Sequence, residues 1–489
     1  MSHYPGQRQD ELQVSHDRMA AFEACPLVIL GAGPAGLGAA YKLASRGFGV
    51  TVLERGAAVG GNAGSFEIEG LRADYGSHRL HPSCAPEILQ DIRNLLGQDL
   101  LERRRHGRIR LKGRWIHFPL EPVDALLNLP PGFLFGVLKD RVASRDTAGE
   151  NDSFASVLER GLGPTICREF YFPYAEKIWG LSPFEIDAEQ ARRRVGANSL
   201  GKLLGKLRNA IPGLRSPGSG RFFYPRQGYG QISEAYRAAA ERAGARVLLQ
   251  TPVQRIRHTG GRVTSVTASG LGAAEFPARQ VFSTVPLPLL ARLVDPPPPP
   301  RVQEAAAALH YRAMILIYLV LEADRFTEYD AHYFPERRIP ITRLSEPKNY
   351  GLVQPDGRTV LCAELPCSTT DAIWSASDSE LRGVVEDALA WAGLPLRVPV
   401  LAVATRRLEQ AYPIYARGFR EHFDILDAWA SSIDGLVTFG RQGLFVHDNT
   451  HHTLAMAYAA CECLNASGEF DRDRWAQYRR RFQEHVVED

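Results

Sequence analysis

The stretch that most constrains this 489-residue chain is Gly31-Ala32-Gly33-Pro34-Ala35-Gly36, because it follows an apolar run without a spacer. Leu27–Leu30 reads as a short strand, the AAYKLASRG segment has helical period, and VTVLER reads as a second strand. Strand, glycine turn, helix and strand within about 30 residues make a βαβ unit, the setting in which G-x-G-x-x-G binds a dinucleotide. Each glycine has a separate task. Gly31 permits the tight turn, Gly33 lets the backbone approach a pyrophosphate, and Gly36 lets helix and strand pack closely. Pro34 and Ala35 lie between them at the helix start, where free N–H groups and a partial positive charge face the phosphates. Glu54 ends the next strand at roughly the 20-residue spacing of an acid that holds ribose hydroxyls.

The residues after Glu54 separate the candidate dinucleotides. Arg55 is succeeded by GAAVGGNAGSF, with a second glycine pair at Gly60-Gly61 and then Asn62. This E-R-x-x-x-x-G-G arrangement resembles the extended FAD fingerprint of the flavin amine oxidase, protoporphyrinogen oxidase and phytoene desaturase superfamily. The resemblance implies FAD, with Glu54 on the adenosine ribose and the Arg55–Asn62 segment passing close to the pyrophosphate. It also implies a Rossmann-like FAD-binding α/β domain of the GR2 type, with an inserted helical region and an antiparallel-sheet substrate domain.

Four later segments resemble the UDP-galactopyranose mutase branch and its bacterial relatives. Tyr75-Gly76-Ser77-His78-Arg79-Leu80-His81 is similar to a Y-G-P-H-x-F-H segment, with Ser77 in place of proline. The resemblance places His78 and His81 beside the isoalloxazine, where an imidazole can donate a hydrogen bond or move a proton; the alternative is two loop histidines with structural hydrogen bonds. YFPYAEKIWGL at 171–181 is similar to a P-Y-x-x-K-x-W-G segment, in which Lys177 meets an anion and Trp179 stacks on a ring, or both simply pack. ITRLSEPKN at 341–349 carries Arg343 over to a position that contacts substrate diphosphate, for which a guanidinium fork is suited; the alternative is an Arg343–Glu346 pair. Gly440-Arg441-Gln442-Gly443 resembles a closing G-R-x-G turn whose following helix meets the flavin. Beyond it, Phe445, His447 and Asn449 stand where the mutases have tyrosines and an aspartate. Asn449 is carried over as a flavin contact, His447 as a candidate catalytic group, and Val253 as the residue whose backbone meets adenine.

Around these motifs the chain divides into six stretches. Residues 1–24 are polar and lack an apolar signal core, and read as a frayed leader. Residues 25–120, 221–295 and 431–489 form three parts of the FAD-binding domain. The proline-rich, helical stretch 121–220 is an insertion, with 212–220 a linker by composition. Residues 296–430 form the substrate-domain sheet, with a helix at 378–392. RIRLKGRWIHF at 108–118 alternates as a hairpin turning at Lys112-Gly113. LLNLPPGFLFGV at 126–137 reads as a buried loop–helix junction, with a greasy substrate mouth or a membrane-surface patch as alternatives.

A net charge of +3 gives no reason to expect a nucleic-acid partner. No run of about 18 apolar residues exists to span a bilayer. Seven scattered cysteines without zinc spacing fit a reducing cytoplasm. His447, His451 and His452 cluster in sequence, yet the pattern points to no metal. No second G-x-G-x-x-G with a following helix is present, which disfavours a bound nicotinamide. The reading is a flavin oxidoreductase that oxidises or desaturates a small organic metabolite by hydride transfer to flavin N5. A redox-neutral, mutase-like enzyme acting on a phosphorylated or sugar-linked substrate is the second reading, and a binding protein with a relic flavin the third.

Overall fold

The structure, a computed structural model, describes residues 26–119, 122–142, 152–195 and 220–487. The expected leader and nearly all of the 212–220 linker lie outside these residues. The βαβ unit forms as Leu27–Leu30, Pro34–Ser45 and Val50–Leu53. It sits in a five-stranded parallel sheet ordered Leu436–Thr438, Gln280–Ser283, Leu27–Leu30, Val50–Leu53, Arg246–Leu248. Strands from the start, middle and end of the chain therefore build one sheet.

The sheet is covered on both faces, which is why its strands read as unbroken apolar runs. Alternate residues point to opposite faces. Leu27, Ile29, Val50 and Val52 join a core with Leu37, Leu43, Tyr236, Met456 and Trp475. Val28, Leu30, Leu53 and Val281 join another, with Leu290, Phe419 and Leu426.

A seven-stranded sheet carries the second half of the architecture, ordered Val400–Pro413, Tyr311–Leu321, Thr359–Cys367, Arg343–Ser345, Ala331–Tyr333, Gly107–Leu111, Arg114–Phe118. Its pairs are antiparallel except where Ala331–Tyr333 runs parallel to Gly107–Leu111. Tyr311–Leu321 alternates between two cores. Ile315, Ile317 and Leu319 face the helix Asp378–Ala392, while Leu316, Tyr318 and Val320 meet Ile68, Leu71 and Ala73. The 108–118 hairpin turns at Lys112 and Gly113, both at positive φ, and its strands belong to this sheet rather than to the nucleotide sheet.

The described part of 122–195 is largely helical, with helices including Pro131–Val142, Phe154–Leu162, Phe172–Trp179 and Ala188–Val195. The 126–137 stretch departs from the buried junction expected. It splits at Pro130-Pro131 into two helices and buries Leu129, but Leu127 is 74% and Phe135 70% exposed. The consecutive prolines end the first helix and begin the second. Among the described residues no helix is long and apolar enough to cross a membrane. Cys461 and Cys463 are buried thiols, as their apolar surroundings predict.

Candidate active site

The first glycine turn is built as its spacing requires. Gly31 takes φ 97°, closed to most side chains, and a Cβ there would lie 2.5 Å from Thr284 Oγ1. A Cβ on Gly36 would sit 2.0 Å from the Gly31 carbonyl oxygen, so helix and strand touch at this point. A Cβ on Gly33 would meet no heavy atom within 4 Å, which leaves open space in front of the helix N-terminus. Gly33 is the N-cap and Pro34 opens the helix.

Glu54 stands at the edge of that space. Its Oε2 accepts from the Ala32 N–H at 2.8 Å and its Oε1 from the Gly56 N–H at 2.7 Å, so the carboxylate is oriented by the turn it serves. Gly60, at φ 108°, donates its N–H to Ala32 O at 2.8 Å. A Cβ on Gly61 would lie 3.6 Å from Gly33 Cα, so the second glycine pair rests on the first. Arg55 is exposed beside it. Val253 pairs with Ala268 at the start of a separate, mixed four-stranded sheet.

The closing turn reaches the same place from the other end of the chain. Gly440, at φ 81°, would place a Cβ 3.0 Å from Ala35 Cβ. Arg441 Nη2 donates to Ala411 O at 2.9 Å; Asn62 Nδ2 and Gln442 Nε2 donate to Gln410 O at 3.2 and 2.8 Å. Three turns expected at the cofactor thus converge, and the second and third clasp the edge strand Val400–Pro413 of the seven-stranded sheet. Asn449 caps the helix Thr450–Glu462, paired in a capping box with His452. Free backbone space at Gly33, stacked glycine turns and an acid fixed by the turn fit a pyrophosphate-linked dinucleotide.

The histidines divide. His78 Nε2 meets Tyr75 O at 2.8 Å, and its ring stacks on Tyr229. Burial lowers its pKa and nearby Asp74 raises it, leaving it below the ordinary value and neutral at pH 7. A neutral ring that donates Nε2–H to a carbonyl keeps Nδ1 as an acceptor. His81 has its Nδ1 within 2.7 Å of Ser83 Oγ, and that nitrogen accepts the Ser83 N–H at 3.1 Å. His447 is buried among Trp179, Tyr412 and Tyr415 rings.

Arg343 pairs with Glu364, not with Glu346. Its Nε and Nη2 donate to Glu364 Oε1 at 2.9 and 2.7 Å, and Ser77 N donates to the same oxygen at 3.0 Å. Burial lowers the guanidinium's pKa, but Glu364 outweighs it and holds it above the ordinary value. Glu346 instead accepts from Phe326 N, Thr327 N and Thr359 Oγ1. Lys177 is not directed at an anion. Its Nζ donates to Phe334 O and Ile341 O at 2.5 and 2.8 Å, and burial pushes its pKa down to about 7. Trp179 packs on Phe154 and His447, the packing alternative.

Several residues escaped the sequence reading. Glu364 joins the His78 loop to Arg343, and its one signal was a lone acid inside an apolar strand. Asp74 accepts from Ser65 Oγ, Tyr224 OH and Tyr229 N, all within 2.8 Å, and burial raises its pKa. Arg79 reaches Asp330 at 3.1 Å and Tyr350 at 3.3 Å. Most of these partners are more than 100 residues apart in sequence, beyond any local pattern, though Arg343 and Glu364 are 21 apart.

A dinucleotide fold whose middle segments build a second sheet over the glycine turns defines a two-part flavoprotein. The chain belongs to the flavin containing amine oxidoreductase family, whose model matches residues 34–427, and its cofactor is FAD. It is 28% identical over 265 residues to a curated Mycobacterium tuberculosis protein named "Putative flavin-containing monoamine oxidase AofH", a match covering 51% of this chain and 55% of that protein. The chain thus spans about half the length of the curated relatives it matches. Its fold is similar to that of reduced UDP-galactopyranose mutase, at a TM-score of 0.74 and 20% identity, over 90% of this chain and 93% of that one. It is also similar to an Exiguobacterium sp. 255-15 structure described as "Putative protoporphyrinogen oxidase", at 0.68 and 20%, over 89% and 97%.

Proposed function

We propose that this chain is an FAD-dependent oxidoreductase that oxidises or desaturates a small organic metabolite, with amines the first class to try. The observation that carries this reading is the family match over residues 34–427, laid on a glycine cradle open at Gly33. When bound, FAD supplies a hydride acceptor. The residues of the chain do the rest. Glu54, Gly33 and the Gly60-Gly61 and Gly440 turns bind and orient the dinucleotide. Neutral His78 can take a proton at Nδ1, and the buried Arg343–Glu364 pair keeps the Ser77–His78 loop in place. A cytoplasmic location is part of the same proposal.

The redox-neutral, mutase-like reading is supported by the overall likeness to the mutase fold and by Arg343. Against it, Glu364 already holds the Arg343 charge, and Phe445 is buried against Tyr311 and Tyr415 where the mutases place hydroxyls. One spectrum decides between the two. The purified protein is mixed anaerobically with a panel of amines and other small metabolites, and the flavin band near about 450 nm is monitored. Bleaching by a member of the panel, reversed by air, is expected. Flavin that stays oxidised throughout, yet isomerises a sugar nucleotide after dithionite reduction, would replace the first reading with the second.

A further inference from the structure

A second cluster of chemistry-bearing side chains lies where the end of the chain crosses the start of the helix Thr450–Glu462. Asp448 precedes the Asn449 cap and is 1% exposed. His451 and His452 occupy the first turn, with ring centroids 4.0 Å apart. His485 arrives from the other direction, beyond the helix Arg472–Phe482, in a segment pinned by the Val487 N–H donating to Arg193 O at 3.0 Å. Its Nδ1 lies 2.7 Å from Asp448 Oδ2, and its ring stacks at 4.3 Å on His452. One ligand-capable atom from each of Asp448, His452 and His485 lies within 4.8 Å of the other two.

Three buried atoms here, Arg193 Nη1 among them, lack hydrogen bonds among the described residues. Asp448 Oδ1 accepts none and meets Arg193 Nη1 only at 3.8 Å, while Arg193 is shared with Glu189 at 2.8 Å. His451 Nε2, in a residue 4% exposed, also has no partner among them. A buried carboxylate oxygen and a buried imidazole nitrogen left unsatisfied beside two further imidazoles form a donor set arranged for a cation.

We propose that Asp448, His452 and His485 form a divalent transition-metal site of two imidazoles and one carboxylate, with His451 beside it. Nitrogen and oxygen donors of this kind suit Zn²⁺, Co²⁺ or Ni²⁺, and three protein ligands leave a further position open. Metal binding releases the proton shared by His485 Nδ1 and Asp448 Oδ2. The site clips the C-terminal segment to the helix that succeeds the Gly440–Gly443 turn. His447, which adjoins these residues in sequence, packs elsewhere, so the set differs from the His447–His451–His452 group that sequence spacing discounted.

The site needs no assumption about the reaction and is tested on untagged, FAD-loaded full-length protein. The protein is stripped with EDTA and titrated with Co²⁺ or Zn²⁺ by calorimetry, with the Co²⁺ absorption spectrum as a second readout. One equivalent per chain is expected, raising the melting temperature by about 3 °C or more at saturation. D448N and H485A should weaken binding by about 100-fold, and exposed His310→Ala should bind as the parent does. H485Q and H452Q, checked by flavin absorbance and circular dichroism, guard against a variant that fails to fold. Binding far below one equivalent, or folded Asp448 and His485 variants that bind as tightly as the parent, would overturn the proposal.

Discussion

At the scale of single residues, the glycine turn separates two kinds of necessity. Gly36 is required by the protein itself, since a Cβ would enter the Gly31 carbonyl at 2.0 Å. The protein itself places no such demand on Gly33, since its φ of −76° suits any residue and its Cβ would meet nothing; a bound pyrophosphate is the proposed reason for it. Gly33→Ala should therefore fold and melt like the apoprotein but lose FAD, whereas Gly36→Ala should fail to fold. Equal flavin content in Gly33→Ala and the parent, read by absorbance after gel filtration, would disprove the pyrophosphate assignment. His332 gives a pH signature. Buried between Trp115 and Tyr329 rings, it is pushed down to about 3, first by burial and then by Arg108. Its folded pKa lies below the unfolded value, so its neutral form favours the fold above about pH 6.5 and that contribution is lost as pH falls towards 3. The slope is about 1.4 kcal/mol per pH unit. Urea unfolding of the parent between pH 7 and 4 should show this slope in excess of His332→Gln; parallel curves would remove His332 as its source.

At the scale of elements, the decisive joint lies between the Tyr75–His81 loop and the seven-stranded sheet. Glu364, on the strand Thr359–Cys367, holds Ser77 N and the Arg343 guanidinium with one oxygen. Glu364→Met should cost about 3–5 kcal/mol because Arg343 is left charged, buried and unpaired. The double change with Arg343→Met should cost less than Glu364→Met alone, since both charges then leave together. Denaturant titration of the three variants checks this, and strictly additive losses would mean the pair is not coupled. The same joint shows the reach and the limit of local pattern. Alternation alone predicted the 108–118 hairpin, because successive side chains of a pleated strand point to opposite faces. It could not assign the hairpin to its sheet, since the partner strand Ala331–Tyr333 is more than 200 residues downstream. Nor could it see the exposure of Leu127 and Phe135, which tertiary packing decides.

At the scale of the molecule, the parallel sheet draws strands from residues 27, 280 and 436 into adjacent positions, and the glycine turns at 31, 60 and 440 meet at one point. Each turn declared itself locally, because positive-φ backbone and close packing select glycine at that position whatever lies elsewhere. Cofactor class and fold were thus legible from sequence: the motifs are short, contiguous and dictated by backbone geometry. The environment of the histidines and of Arg343 was not. Whether a side chain is neutral, paired or pinned to a carbonyl depends on burial and on charges brought in by other segments, as Glu364 is to Arg343 and Asp448 to His485. Desolvation and long-range pairing exist only once the chain has folded, so only the tertiary structure could decide them.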